Sequence, residues 1–281
     1  MYNLRYHIAS LVGVFLALAI GLVLGGLVVG QGTLESQQAS LVEGLRKEFA
    51  TLRTENQMLS TQNDVLSEYS KMMTDSWVAG RLNGRTTVLL TNAGRSDGLK
   101  ASTEAIRAAG GTVVTVTLGE DGLDLASSEI QSIVASATGE PAGSAEKTAA
   151  VLQAEWTSTG DVRPLSDALV EAGILDIEGL SSGTSASGIV NLAAPDAEPD
   201  EAALAIARSF ADEGLPAVGG QTLLRDTGVA VASASAGMSA LDTLGTDIGA
   251  YTLVALLSGA TPGYYGQGEA ATAAYPPLPQ P

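Results

Sequence analysis

The sequence predicts an α/β protein in three parts: a single N-terminal transmembrane helix, a coiled-coil stalk, and a Rossmann-like α/β sandwich with a mostly parallel sheet. Three observations predict it. Residues 8–29 form an uncharged apolar run of 22 residues. A seven-residue leucine repeat follows. From Arg85 onward, short β-branched runs alternate with helical spacings. The implied divisions are 1–30 for the N-terminus and membrane helix, 31–76 for the stalk, 77–258 for the α/β domain, and 259–281 for a Gly/Ala/Pro-rich tail.

A run of that length spans a hydrocarbon core of about 30 Å at about 1.5 Å per residue. Arg5, the amino terminus and His7 precede it. Glu35 follows it, and the next basic residues are Arg46 and Lys47. This near-membrane bias predicts a cytoplasmic N-terminus, with the remainder outside the cell membrane. A cleaved signal peptide is the competing reading. The apolar run exceeds a typical signal core, and Val28-Val29-Gly30 is a poor cleavage site. Gly21 with Gly25, and Gly26 with Gly30, have the spacing that lets two membrane helices approach closely.

In the stalk, Leu45, Leu52, Leu59, Leu66 and Met73 recur every seven residues, and Val42, Phe49, Asn56 and Asn63 sit three residues before the first four. With the leucine series at d, the second set occupies a. No proline or glycine interrupts residues 45–76, so the expected helix runs about 40 residues, or about 60 Å. Asparagine at a is costly unless it pairs across the seam, and it fixes register and strand number in parallel dimers. A parallel homodimer is therefore expected; a lone amphipathic helix packed on the distal domain is the alternative.

The distal domain opens with a strand at 86–91, a loop, a helix at 99–109 stopped by Gly110 and Gly111, and a second strand at 112–118. This βαβ unit implies parallel pairing with helices covering the sheet. Helices are expected at 127–137, 144–157, 165–172, 200–213 and 246–257. Strands are expected at 188–194, 216–219 and 228–233. The tail from 259 reads as extended or disordered.

The charge is −17 overall. Beyond Trp77 there are 24 acidic residues against nine basic ones. Such a field repels nucleic acid and anionic lipid, so no nucleic-acid partner is expected. With no cysteine, disulfides and thiolate metal sites are excluded. The sole histidine, His7, precedes the membrane run, which removes Ser-His-Asp catalysis from the distal domain.

The loop holding Asn92, Gly94, Arg95 and Gly98 follows the first strand, where phosphate loops sit, yet it matches neither phosphate-binding glycine pattern. A small ligand there is what an enzyme reading would require. Ser144 and Lys147 match S-x-x-K without its companion elements. Two acidic groups, Asp121 with Asp124, and Asp196 with Glu198, Asp200 and Glu201, lack calcium-loop spacing. No catalytic, cofactor or metal residue is assigned, and the expectation is a protein that is not an enzyme.

The start of the chain, Arg5-Tyr6-His7-Ile8-Ala9-Ser10-Leu11 followed by Val14 through Gly21, resembles the mycobacterial copper transport protein B family, MctB, which includes corynebacterial SteB-like envelope proteins. Ser239-Ala240-Leu241-Asp242-Thr243-Leu244, then Gly249, Leu253 to Leu256 and Tyr265-Gly266-Gln267-Gly268, resemble the same family near its C-terminal end. The resemblance implies an actinobacterial cell-envelope protein linked to copper homeostasis or efflux. For the SteB-like members it implies cell-wall assembly or division through a membrane partner. Copper enters as a possible cofactor through this resemblance alone. Copper(I) prefers thiolate or thioether and copper(II) imidazole. The exported part offers only Met58, Met72, Met73 and Met238, in no regular array. One transmembrane helix cannot enclose a pore, so a dimeric scaffold is expected in place of a conducting one.

Overall fold

A computed structural model describes residues 4–30, 33–92, 97–119, 123–139, 143–193, 198–222 and 228–277. The chain divides into two compact units, Met1–Leu66 and Ser67–Pro281.

The first unit is helical. α1 (Leu4–Gly30) contains an apolar stretch, Tyr6–Leu27, long and apolar enough to cross a membrane. α2 (Thr33–Val78) begins in this unit and runs 46 residues. Its threonines fit a helix because their hydroxyls bond back one turn. Thr51, Thr54 and Thr61 donate to the carbonyls of Lys47, Ala50 and Gln57 at 2.9–3.0 Å, which satisfies the hydroxyl without leaving the helix.

The second unit holds the end of α2 and the α/β domain. Its elements are β1 (Thr86–Asn92), α3 (Asp97–Ala108), β2 (Thr112–Leu118), α4 (Ser128–Thr138), α5 (Ala145–Thr157), α6 (Pro164–Glu171), β3 (Leu175–Glu178), β4 (Ala186–Leu192), α7 (Glu201–Asp212), β5 (Ala217–Gly220), α8 (Val229–Ser235), β6 (Ser239–Leu241), α9 (Asp247–Leu257) and β7 (Tyr264–Tyr265). The seven strands are ordered β3-β2-β1-β4-β5-β6-β7. Only β3 runs antiparallel, pairing Leu175 with Leu118; all other pairs are parallel. The predicted α/β class and mostly parallel sheet are therefore the observed ones.

Alternation along β1 explains the two layers. Val88 and Leu90 point to one face and join Trp156, Leu165, Ile206 and Phe210 from α5, α6 and α7. Leu89 points to the other and joins Ile106, Leu253 and Leu257 from α3 and α9, with Val78 from the end of α2 and Leu82 from the turn after it. Successive side chains of a strand face opposite ways, so an apolar run with no polar break demands cover on both sides.

Two expectations need correction. Residues 228–233, read as a strand, form α8. Alternating Val and Ala mimic a strand, but Gly228 has φ 123° and the Gln221 side-chain carbonyl accepts from Ala230 N at 3.2 Å, starting a helix. The small Gly219 then lets α8 lie against β5, where an added Cβ would strike Ser233. The tail, read as extended or disordered, supplies the last strand. Tyr264 and Tyr265 pair with Ala240 and Leu241 and are buried. The short strands β3 and β6 were not anticipated either.

The start of α6 shows how the fold satisfies buried polar groups. Pro164 opens the helix, and Arg163 at its cap position makes no side-chain cap bond. Glu155 of α5 does this work from outside. Its carboxylate accepts from Leu165 N (2.8 Å), Ser166 N (2.8 Å) and Ser166 Oγ (2.6 Å). The Ser166 hydroxyl in turn accepts from Trp156 Nε1 at 3.0 Å. A carboxylate at a helix N-terminus meets both free N–H groups and the positive end of the dipole. Glu155→Ala is expected to cost about 2–3 kcal/mol by stranding these donors, read by urea unfolding with tryptophan fluorescence.

Candidate functional site

The predicted seam residues all lie on α2. Val42, Leu45, Phe49, Leu52, Leu59, Leu66 and Met73 are between 48% and 64% exposed in the single chain, and Asn56 and Asn63 are exposed with them. Heptad spacing places them on one stripe of the helix. Gly21, Gly25 and Gly26 lie on α1, where an added Cβ would meet no atom within 4 Å. Gly30 is the last residue of that helix.

The root of α2 belongs to the domain. Thr74 donates to the Asp247 carbonyl at 3.4 Å. The Trp77 ring packs at a tilt of 58° against Tyr251, centroids 4.5 Å apart, and the Arg81 guanidinium lies 4.4 Å from the Trp77 ring centroid. The Tyr251 hydroxyl donates to the Pro276 carbonyl at 3.2 Å. Burial pushes that phenol's pKa up.

In doubly wound sheets, ligands bind where the strand order reverses, beyond the carboxyl ends of the strands. Here that point lies between β1 and β4. Asn92 ends β1 and donates to Asp200 Oδ2 at 3.5 Å; residues 93–96, including Gly94 and Arg95, lie outside the described residues. Gly98, the second residue of α3, has its Cβ space already taken, since a methyl there would sit 2.8 Å from Leu244 and 3.1 Å from Leu192. Gly220 meets the same two leucines at 2.7 and 3.3 Å. These glycines serve close packing of helix on sheet around Leu244.

The remaining candidates resolve into local structure. Ser144 caps α5 by accepting from Lys147 N at 3.5 Å. Asp124 accepts from Ala126 N, and Asp200 caps α7 by accepting from Ala203 N, both at 2.9 Å. Asp121 and Asp196 lie outside the described residues. Among the described residues, no three His, Cys, Asp or Glu side chains are grouped as metal ligands would be. Met58, Met72 and Met73 are exposed on α2, while Met238 is buried in the core.

One constellation was missed by residue-level reading. Asp242 follows β6 and is 2% exposed. Its Oδ2 accepts from the Tyr264 hydroxyl (2.9 Å) and Gly268 N (2.8 Å), and its Oδ1 from Gln267 N (3.0 Å). Gly266 turns the chain here with φ 149°, and a Cβ at this position would collide with the carboxylate. The two C-terminal segments that carry the family resemblance thus meet in space as one clasp. The signal was an aspartate after an apolar triplet and a Tyr-Gly-Gln-Gly turn some twenty residues later, which only the fold connects.

No curated protein and no solved structure matches the chain. A family model does: that of the copper transport outer membrane protein MctB, over residues 1–276. The match takes in the apolar N-terminal helix, the long α2 and the α/β domain with its Asp242 clasp. The chain belongs to the MctB family.

Proposed function

We propose that this chain is a single-pass envelope protein that works as a dimeric scaffold. α1 anchors it, with the N-terminus in the cytoplasm and the α/β domain outside. Two copies pair in parallel along α2, and the acidic domains dock a protein partner. Its part in copper homeostasis is indirect. The carrying observation is the exposed leucine stripe of α2 with asparagine at two successive a positions. Water-exposed leucines on one stripe gain about 25 cal/mol per Å² when covered, and the asparagines reward a partner that presents asparagine at the same level.

Family membership supports the copper link; the donors of this chain argue against direct carriage. With no cysteine and the one histidine ahead of the span, the exported part offers thioethers and carboxylates. Of its methionines, Met238 is buried among apolar side chains. Titration of the full chain with copper(I) and copper(II) against a micromolar chelator tests this. The chelator is expected to keep the metal; stoichiometric transfer to the protein would overturn the indirect role.

The same donor set favours a second reading, a SteB-like scaffold for cell-wall assembly or division. Proximity labelling from the living membrane separates the two, by returning copper-handling proteins or wall-synthesis proteins.

Substituting Asn56 and Asn63 together by leucine is expected to tighten association by about tenfold or more, since a buried amide pair gives way to apolar contact. Stoichiometry is expected to broaden beyond two, as sedimentation would show. A strictly two-stranded assembly in the double variant would contradict the proposed role of the asparagines.

A further inference from the structure

α5 and α7 lie side by side on the outer surface of the sandwich, and a groove of about 600 Å³ runs between them. Its floor is made of small and apolar side chains, Ala150, Leu204 and Ala205. Its walls carry Glu146, Glu201, Asp212 and Glu213 against the single guanidinium of Arg208. At the N-terminal ends of the two helices the groove continues into a second hollow of about 380 Å³, which shares Glu146, Glu201 and Ala205 and adds Asp124.

No ion pair between described residues engages Glu146, Glu201, Asp212 or Glu213. A hydrogen bond from Ser144 is the first cause that lowers the Glu146 pKa from its ordinary value. A wall of carboxylates around an apolar floor repels anionic lipid and acidic peptide, and it draws a partner of positive charge. Shape narrows the choice further. Two parallel ridges of helix with alanine between them admit a third helix lying in the groove. α7, at 12 residues, offers a track of about 18 Å, or roughly three turns.

We propose that the α5–α7 groove docks a basic amphipathic helix of a protein partner, its Lys and Arg side chains meeting the carboxylate walls and its small apolar side chains the alanine floor. This deepens the scaffold reading and rests on it for the existence of a partner, but not on dimerisation.

The test uses the full chain in zwitterionic phosphatidylcholine nanodiscs. The probe is a synthetic 14-residue helix with lysines on one face, alanine and leucine on the other, and a photoreactive group. Saturable binding is expected, with crosslinks on α5 and α7. Glu201→Gln combined with Asp212→Asn is expected to weaken it about tenfold. Both side chains are exposed, so the fold is retained. Ala205→Trp, which fills the floor, is expected to abolish binding while circular dichroism is unchanged. The proposal is overturned if neutralising two exposed acids elsewhere, Glu171→Gln with Asp176→Asn, weakens binding equally. Crosslinks confined to α2 would overturn it too, as would displacement of the probe by stoichiometric calcium. Disulfide trapping along α2 in the same nanodiscs reads the dimer separately, so failure of the groove and failure of the stalk are distinguishable.

Discussion

Asp242→Ala is expected to cost about 3–5 kcal/mol and to release the chain after Tyr265 from the domain. The carboxylate is buried and holds three donors. Charge-assisted bonds contribute about 1.5–3 kcal/mol each, though not additively. Alanine takes the Asp242 acceptor away from the Tyr264 hydroxyl and leaves the Gln267 and Gly268 N–H groups facing a void. The turn then keeps only its backbone ties, Gly266 N to the Ala273 carbonyl at 2.9 Å and Thr272 N to the Tyr264 carbonyl at 2.8 Å, and loses the carboxylate that fills its centre. Asp242→Asn is expected to lose about half as much, because one oxygen accepts as before while the amide nitrogen confronts a donor. Tyr264→Phe removes the bond to Asp242 and is expected to cost about 1 kcal/mol. Urea unfolding gives the stabilities, and limited proteolysis after residue 266 reads release of the segment. Native stability with an uncleaved tail in Asp242→Ala would mean that the clasp carries little.

Leu52→Asp with Leu59→Asp is expected to weaken stalk association by more than about a hundredfold. Each substitution removes an apolar d-position side chain and sets a carboxylate against its own copy in a parallel pair. Light scattering of the full chain in detergent is expected to fall from dimer to monomer, with unfolding of the α/β domain unchanged. Thr54→Asp with Thr61→Asp adds the same charge on the opposite side of the helix and is expected to leave the dimer intact. Equal loss in both pairs would point to net charge alone.

Much of this architecture was legible because its signals are local. An uncharged run of 22 residues, a leucine every seventh position, and β-branched runs flanked by glycine each declare an element without knowledge of the rest. What was not legible depends on contacts far apart in sequence. Val229 to Ser235 reads as a strand until Gly219 leaves room for a helix on β5. Tyr264 and Tyr265 read as part of a Gly/Pro-rich tail until β6 offers its edge. Asp242 is one acid among 31 until the fold brings Gln267 and Gly268 to it. The α5–α7 groove is likewise invisible in the chain, since Glu146 and Asp212 are separated by more than sixty positions. Chemistry was the least legible, because the chain has no cysteine and its one histidine, His7, lies on α1.

A chain without native cysteine permits one direct test of the central claim, that the protein stays anchored through its N-terminal helix and pairs in parallel along α2. Leu59→Cys and Thr61→Cys are expressed separately, and intact membranes are oxidised. Equivalent d positions of a parallel in-register pair lie within disulfide reach, about 5.5–6 Å between Cα atoms, whereas positions on the outer face do not. The account predicts a disulfide-linked dimer for Leu59→Cys, a monomer for Thr61→Cys, and the full-length chain in the membrane fraction. A monomer for Leu59→Cys, or a shortened chain in the soluble fraction, would contradict it.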